Sequence, residues 1–158
     1  MYLSSLSDVK YLFGSVSLSD NYSADSKNLI VYFYNKWYNR FKPVVFAKHK
    51  FTMSQKEKAE VAEILNSQDY QEDYQNLKLM LKNYGFSIPV LFRKYTDLCE
   101  RDGVHFLEFS VDEKFSNCVD AFILLQLDKV LDKKKKRYHL PGFEASERMD
   151  LEKVFSLN

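Results

Sequence analysis

Two apolar runs separated by a polar elbow stand out between Gly103 and Leu127, GVHFLEFSVDEKFSNCVDAFILLQL. The first, Val104 to Val111, is rich in β-formers. The second, Val119 to Leu127, is almost continuously apolar, as a strand buried on both faces requires. Asp112, Glu113, Lys114, Ser116 and Asn117 supply turn chemistry around Phe115. A third strand is predicted from Val9 to Leu18, with Gly14 inside it, where a bulge or a close backbone approach is the usual cause.

The remaining pattern has the helical repeat. Leu29, Ile30, Phe33, Tyr34 and Trp37 predict a helix from Asp25 to Tyr38, with Ser23 as N-cap and Asp25 in the first turn. Phe41 to Phe51 reads as loop, since Lys48, His49 and Lys50 dilute the VVFA that follows Pro43. Ser54-x-x-Glu57 is a capping box that opens a helix with Val61, Ile64 and Leu65 on its apolar stripe. A third helix spans Asp69 to Tyr84, with Tyr70, Tyr74, Leu77, Leu81 and Tyr84 on one face and Gly85 as C-cap. Pro89 at N1 starts a fourth, carried by Val90, Leu91, Tyr95 and Leu98 to Glu100 or Arg101. A basic segment from Lys133 to Arg137, then Pro141-Gly142, precede a polar terminal helix from about Ser146. Strand, helix, two inserted helices, helix, strand, strand, helix has too few strands for a complete parallel α/β domain and indicates α+β.

At 158 residues the chain is one domain, 1–158, with a helical insertion at 40–87. Aromatics at 16% point to a core or pocket rich in Phe and Tyr, and a net charge of +1 demands no nucleic acid. With Gly at 4 and Pro at 3, there is little material for a Gly-rich cofactor loop. Cys99 and Cys118 sit in apolar or amphipathic segments and read as reduced core residues. No stretch reaches the ~18 apolar residues of a membrane span, and MYLSSLSD lacks signal-peptide character. The expectation is a soluble, cytoplasmic protein.

Candidate chemistry is sparse. His49, His105 and His139 lack metal-ligand spacing, and no GxSxG, Walker or GxGxxG motif is present. His105 suits a structural role or, facing solvent or a cleft, a general base. The run Lys133, Lys134, Lys135, Lys136, Arg137 suits a solvated helix start, or a docking patch for phospholipid headgroups or an acidic carrier protein. Its charges are not interleaved with aromatics, which disfavours nucleic acid. Asp112, Asn117 and Asp120 lie at the mouth between the two buried strands. Asp112 and Asn117 suit an Asx turn, and Asp120 suits pairing with backbone amides. The same three suit binding of a substrate amine or removal of its proton, because a carboxylate inside an apolar run must find a partner or hold its proton more tightly.

Three blocks carry a family resemblance: YLFGSVSLSDNYSADSKNLIVYF (11 to 33), IPVLFRKY (88 to 95) and FLEFSVDEKFSNCVDAFILLQLD (106 to 128). Together they resemble bacterial proteins bearing the name hemolysin, within the GNAT-like N-acyltransferases of ornithine-lipid and glycine-lipid synthesis. The first block is similar to the family's YLFGPVSIS strand and the helix start after it, with Ser15 in place of the proline. The resemblance implies a GNAT-like sheet with flanking helices, of which this chain looks like the C-terminal half, lacking the N-terminal strands and the acyl-donor loop.

It also implies an activity. Such enzymes move a long, often 3-hydroxylated, acyl chain from acyl carrier protein (acyl-ACP, or acyl-CoA as donor) to an amino acid's α-amine, with no metal and no tightly bound cofactor. Asp112, Asn117 and Asp120 match the family's D-x-x-F-x-N-x-x-D pattern and would orient the amine. Gly14, Ser17 and Ser19 match the strand and exit beside the donor. The basic run would meet acyl carrier protein or, peripherally, the membrane. The alternative expectation is a non-catalytic half-domain that binds lipid, a second chain or its own copy through an open sheet edge.

Overall fold

The three apolar runs form the strands β1 (Tyr11–Leu18), β2 (Val104–Asp112) and β3 (Cys118–Gln126). The structure, a computed structural model, describes residues 9–39 and 45–138. The strands make one antiparallel sheet in the order β1-β3-β2, so the most apolar strand occupies the centre. Among the described residues five α-helices accompany it: α1 (Ala24–Tyr38), α2 (Gln55–Ile64), α3 (Tyr70–Asn83), α4 (Val90–Thr96) and α5 (Asp132–Tyr138). The architecture is α+β, as expected. The terminal helix expected from Ser146, together with Pro141-Gly142 and His139, lies outside the described residues.

Local signals set the helix boundaries. The Ser23 side chain accepts from the Ser26 amide, and the Ser54 capping box closes in both directions with Glu57. Gly85 ends α3 at φ 82°, with its amide on the Lys82 carbonyl and the Phe86 amide on that of Leu81. This is the Schellman arrangement that a glycine permits without strain.

Two readings are corrected. The first is α4, which stops at Thr96, short of Glu100, with Pro89 as its N-cap residue. Its buried residue is Phe92, while Val90 and Leu91 are 53% and 52% exposed. Beyond it the chain is drawn against the segment after β3: Cys99 bridges Val130, and the Glu100 amide bonds the Lys129 carbonyl. Those strand-like bonds replace the helical ones. The second is Gly14, which sits in regular ladder opposite Ile123 with open space where a side chain would project. The close approach is at Gly103 instead, where a Cβ would stand 2.6 Å from that of Lys129. The bulge is on β2, where Phe106 pairs with Ile123 but Glu108 with Phe122, leaving Leu107 as the extra residue.

One face of the sheet, the inner face, meets α1. Val16, Leu18, Phe106, Phe109, Val119, Ala121, Ile123 and Leu125 join Leu29, Ile30, Phe33 and Tyr34 in the core. The Tyr34 ring lies 4.4 Å from that of Phe106 and 5.1 Å from that of Phe92. Beside this core the fully buried Asp73 carboxylate accepts from Lys36 Nζ at 2.7 Å, Trp37 Nε1 at 2.9 Å and the Ser67 amide at 3.0 Å. A buried charge so furnished is tolerated where an isolated one would not be. It ties α3 to α1.

Candidate active site

The face of the sheet turned away from α1, the outer face, holds the sequence-predicted chemistry. Alternation along β3 sends Cys118, Asp120, Phe122, Leu124 and Gln126 to this side. The register then builds rows across the strands: Ser17 opposite Asp120 opposite Ser110, and Phe13 opposite Leu124 opposite His105. Directly opposed residues share a face. The result is graded. At one end Phe13 stacks on Phe122 at 6.0 Å, and Leu107 and Leu124 form a small cluster with Tyr11, Val45 and Phe122. At the other end stand two hydroxyls and a carboxylate.

Asp120 is half-buried, and its Oδ1, shielded from solvent, has no hydrogen-bond partner among the described residues. Pairing with backbone amides, the quieter expectation for this residue, is not seen at that atom. An acceptor left open in this way favours any donor brought to it. Ser17 is exposed and Ser110 half-buried, so the row can be approached from solvent.

The other predicted residues divide. Asp112 Oδ1 accepts from the Lys114 amide at 2.9 Å, the Asx turn expected of it. Asn117 and Ser116 adopt left-handed φ of 55° and 52°, which lets the hairpin close. Asp112 lies opposite Cys118, one outward-facing position from Asp120, whereas Asn117 belongs to the turn. On β1, Ser17 is brought to Asp120, and Gly14 is on the strand's opposite side. Ser19 Oγ accepts from the Asn21 amide at 3.3 Å and shapes the polar corner before α1.

The basic run is α5. Lys135 folds back onto the Asp128 carbonyl at 3.1 Å and lies 3.7 Å from Asp132, while Lys133, Lys136 and Arg137 are exposed. Lys134 is half-buried. His105 is only 3% exposed, which fits the structural role expected of it and not the alternative that it faces solvent or a cleft. Both cysteines are buried thiols, and burial pushes Cys99 up to about 12. Sequence reasoning missed Ser110, whose place beside Asp120 depends on the β2 bulge, and the Phe13–Phe122 stack, which depends on strand order. Among the described residues no group of His, Cys, Asp and Glu is arranged to hold a metal, and no helix is long and apolar enough to cross a membrane.

The two sheet edges differ as well. On β2 the Phe51 amide bonds the Phe109 carbonyl and the Val111 amide bonds the His49 carbonyl, so residues 49–51 cover that edge. Among the described residues β1 pairs with β3 alone, and it carries no charged side chain from Tyr11 to Leu18.

Two curated proteins match the chain, both named glycine N(alpha)-acyltransferase. The one from Bacteroides thetaiotaomicron is 24% identical over 139 residues, covering 88% of this chain and 40% of its own length. The one from Phocaeicola vulgatus is 24% identical over 136 residues, covering 86% of this chain and 40% of its own. The chain thus spans about two fifths of the length of the curated relatives it matches. No protein-family description matches it, and no solved structure does. Over most of its length the chain is similar to N-acyltransferases, and neither relative bears the hemolysin name expected from sequence.

Proposed function

We propose that this chain is the acceptor-side part of an N-acyltransferase of aminolipid synthesis, built on a GNAT-like sheet. The carrying observation is the outer face of the sheet. There a row of Ser17, Asp120 and Ser110, with Asp120 Oδ1 lacking a partner among the described residues, adjoins the accessible apolar side chains of Tyr11, Phe13 and Phe122. A long acyl chain lies along the apolar end. The amino acid's amine meets the polar end, where Asp120 takes the proton that the ammonium must lose. The free amine attacks the thioester carbonyl, the C–N bond forms, and the C–S bond breaks. The donor thiol leaves with a proton, and the product is an amide.

Acyl carrier protein as donor, a long and sometimes 3-hydroxylated chain, and glycine or ornithine as acceptor all belong to this reading. The names of the two relatives support N-acylation of glycine. In this reading Asp112 and Asn117 hold the hairpin that sets Asp120, and Ser17 and Ser19 flank the donor. The exposed cations of α5 receive the acidic carrier or the membrane surface that takes the product. The open edge of β1 is where further strands of such a sheet, or a second copy, would pair.

The test is acyl transfer from palmitoyl-acyl carrier protein to glycine and to ornithine. It uses this chain alone and joined behind the N-terminal part of the Bacteroides relative. Acylated amino acid from the joined protein supports the assignment; none with either acceptor overturns it. A second reading, a non-catalytic module that pairs or binds lipid through β1, is favoured by the uncharged edge of that strand, unpaired among the described residues. It predicts stable association of the chain with the relative's N-terminal part, or with lipid vesicles, and no turnover.

A further inference from the structure

A second site, remote in sequence from the outer-face row and built by other elements, is assembled where α1 ends, α3 begins and the turn Arg101–Gly103 crosses. Trp37, Tyr38, Tyr70, Thr96 and Arg101 are among the residues lining a cleft of 480 Å³ there. Small-molecule sites occupy about 300–1,000 Å³. The Trp37 and Tyr70 rings meet at 89° with centroids 5.6 Å apart. Into that corner the chain places its own cation: Arg101 Cζ lies 4.9 Å from the Tyr70 centroid and 5.8 Å from that of Trp37. The ring faces are therefore already satisfied, and a second cation would be repelled.

The nitrogen edge of the guanidinium is not satisfied. Among the described residues the Arg101 guanidinium has neither a hydrogen bond nor an ion pair, and it is exposed, with its Cζ resting against the two rings. An arginine whose carbon already rests against two rings, with its N–H fork open, is placed to meet a carboxylate or phosphate with two parallel hydrogen bonds. The surroundings add donors. The Tyr38 and Tyr70 hydroxyls, 2.8 Å apart, share one hydrogen bond, and Tyr70 begins α3, whose dipole favours an anion. Two carboxylates oppose this. Asp69 is committed to the Glu72 amide at 2.9 Å, and Asp97 adds a small share to the upward shift that burial imposes on the Tyr70 hydroxyl. We infer that this cleft is a binding site for a small oxyanion, a carboxylate or a phosphate, received by Arg101 in its Trp37–Tyr70 corner.

Trp37 is the single tryptophan, so its fluorescence reports on the cleft directly. The probes are inorganic phosphate and cyclohexanecarboxylate, with cyclohexanecarboxamide as neutral twin, titrated into the whole chain at constant ionic strength. A saturable Trp37 response to phosphate or to the carboxylate, and none to the carboxamide, is expected. Whichever anion saturates at the lower concentration identifies the headgroup. Arg101→Lys, which keeps the charge and loses the fork, should weaken binding about tenfold. Asp69→Asn, which keeps a good N-cap and removes a negative charge, should tighten it. A response that never saturates, an equal response to the carboxamide, or unchanged affinity in folded Arg101→Lys overturns the site. So does unchanged or weaker binding in Asp69→Asn.

Discussion

On the inner face of the sheet Phe106, Phe109, Val119, Ala121 and Ile123 are each at most 2% exposed, whereas on the outer face Phe13 is 57% exposed and Asp120 stands half-buried with an oxygen that has no partner among the described residues. The same three strands make both faces. Inside, aromatic rings from β2, α1 and α4 interlock, and any loss of volume leaves a hole the neighbours cannot fill. Outside, Leu124, His105 and Leu107 are buried too, but Phe13, Ser17 and Ser110 stay accessible around a polar group that lacks a partner among the described residues. The inner face carries stability; the outer face is free to carry chemistry.

Substitutions that separate stability from turnover test that contrast. Phe106→Ala, removing the ring against Tyr34 and Phe92, should cost about 3–5 kcal/mol in denaturant unfolding. Unfolding within 1 kcal/mol of the parent would show that the inner face does not hold the fold. Asp120→Asn should leave the unfolding midpoint close to the parent's and reduce acyl transfer by the active, joined protein about 100-fold. Equal rates would return Asp120 to a purely structural place. Gly103→Ala, meeting the Lys129 Cβ, should destabilise by about 1–3 kcal/mol. Gly14→Ala, entering open space, should be neutral or slightly stabilising. Reversal of that order in thermal melts would mean the two glycines have been misread.

The smallest effect is alkaline. Burial raises the Cys99 thiol from 9.0 to about 12 and lifts the Tyr34 and Tyr38 hydroxyls. Each is an acid held protonated in the fold and released more readily from the unfolded chain. Their contribution is full below about pH 9 and is lost progressively as pH rises through the range toward the folded values. Urea midpoints should therefore fall between pH 8.5 and 10.5, and a flat profile would contradict the buried placement of these groups.

The sequence made local features legible and left longer-range ones hidden. Ser23, the Ser54–Glu57 box and Gly85 act within a turn of themselves, so the starts of α1 and α2 and the end of α3 were readable. The apolar continuity of Val119 to Leu127 likewise announced a strand buried on both faces, which the centre of the sheet supplies. What failed depends on partners distant in the chain. Helix α4 ends early because residues 99 and 100 bond to 130 and 129, and Gly103 matters because Lys129 passes over it. Asp73 gives no sign in sequence of meeting Lys36 and Trp37. At the site, Asp112 and Asp120 were visible as polar residues at a strand mouth. That Ser17 and Ser110 flank Asp120 follows from strand order and register, which no single stretch encodes.

The bulge at Leu107 gives β2 a change of parity. Before it the even positions, Val104 and Phe106, point into the core; after it the odd ones share the inner face, with Phe109 in the core and Val111 opposite Val119 at its margin. One surplus residue thus lets a single strand serve two reading frames, so that Phe106 and Phe109 both pack inward while Ser110 and Asp112 stay on the Asp120 side. The strand's sequence is for that reason a poor alternating pattern and a good composite of two. A shift of the surplus residue by a few positions would leave composition untouched and exchange which side chains the core receives.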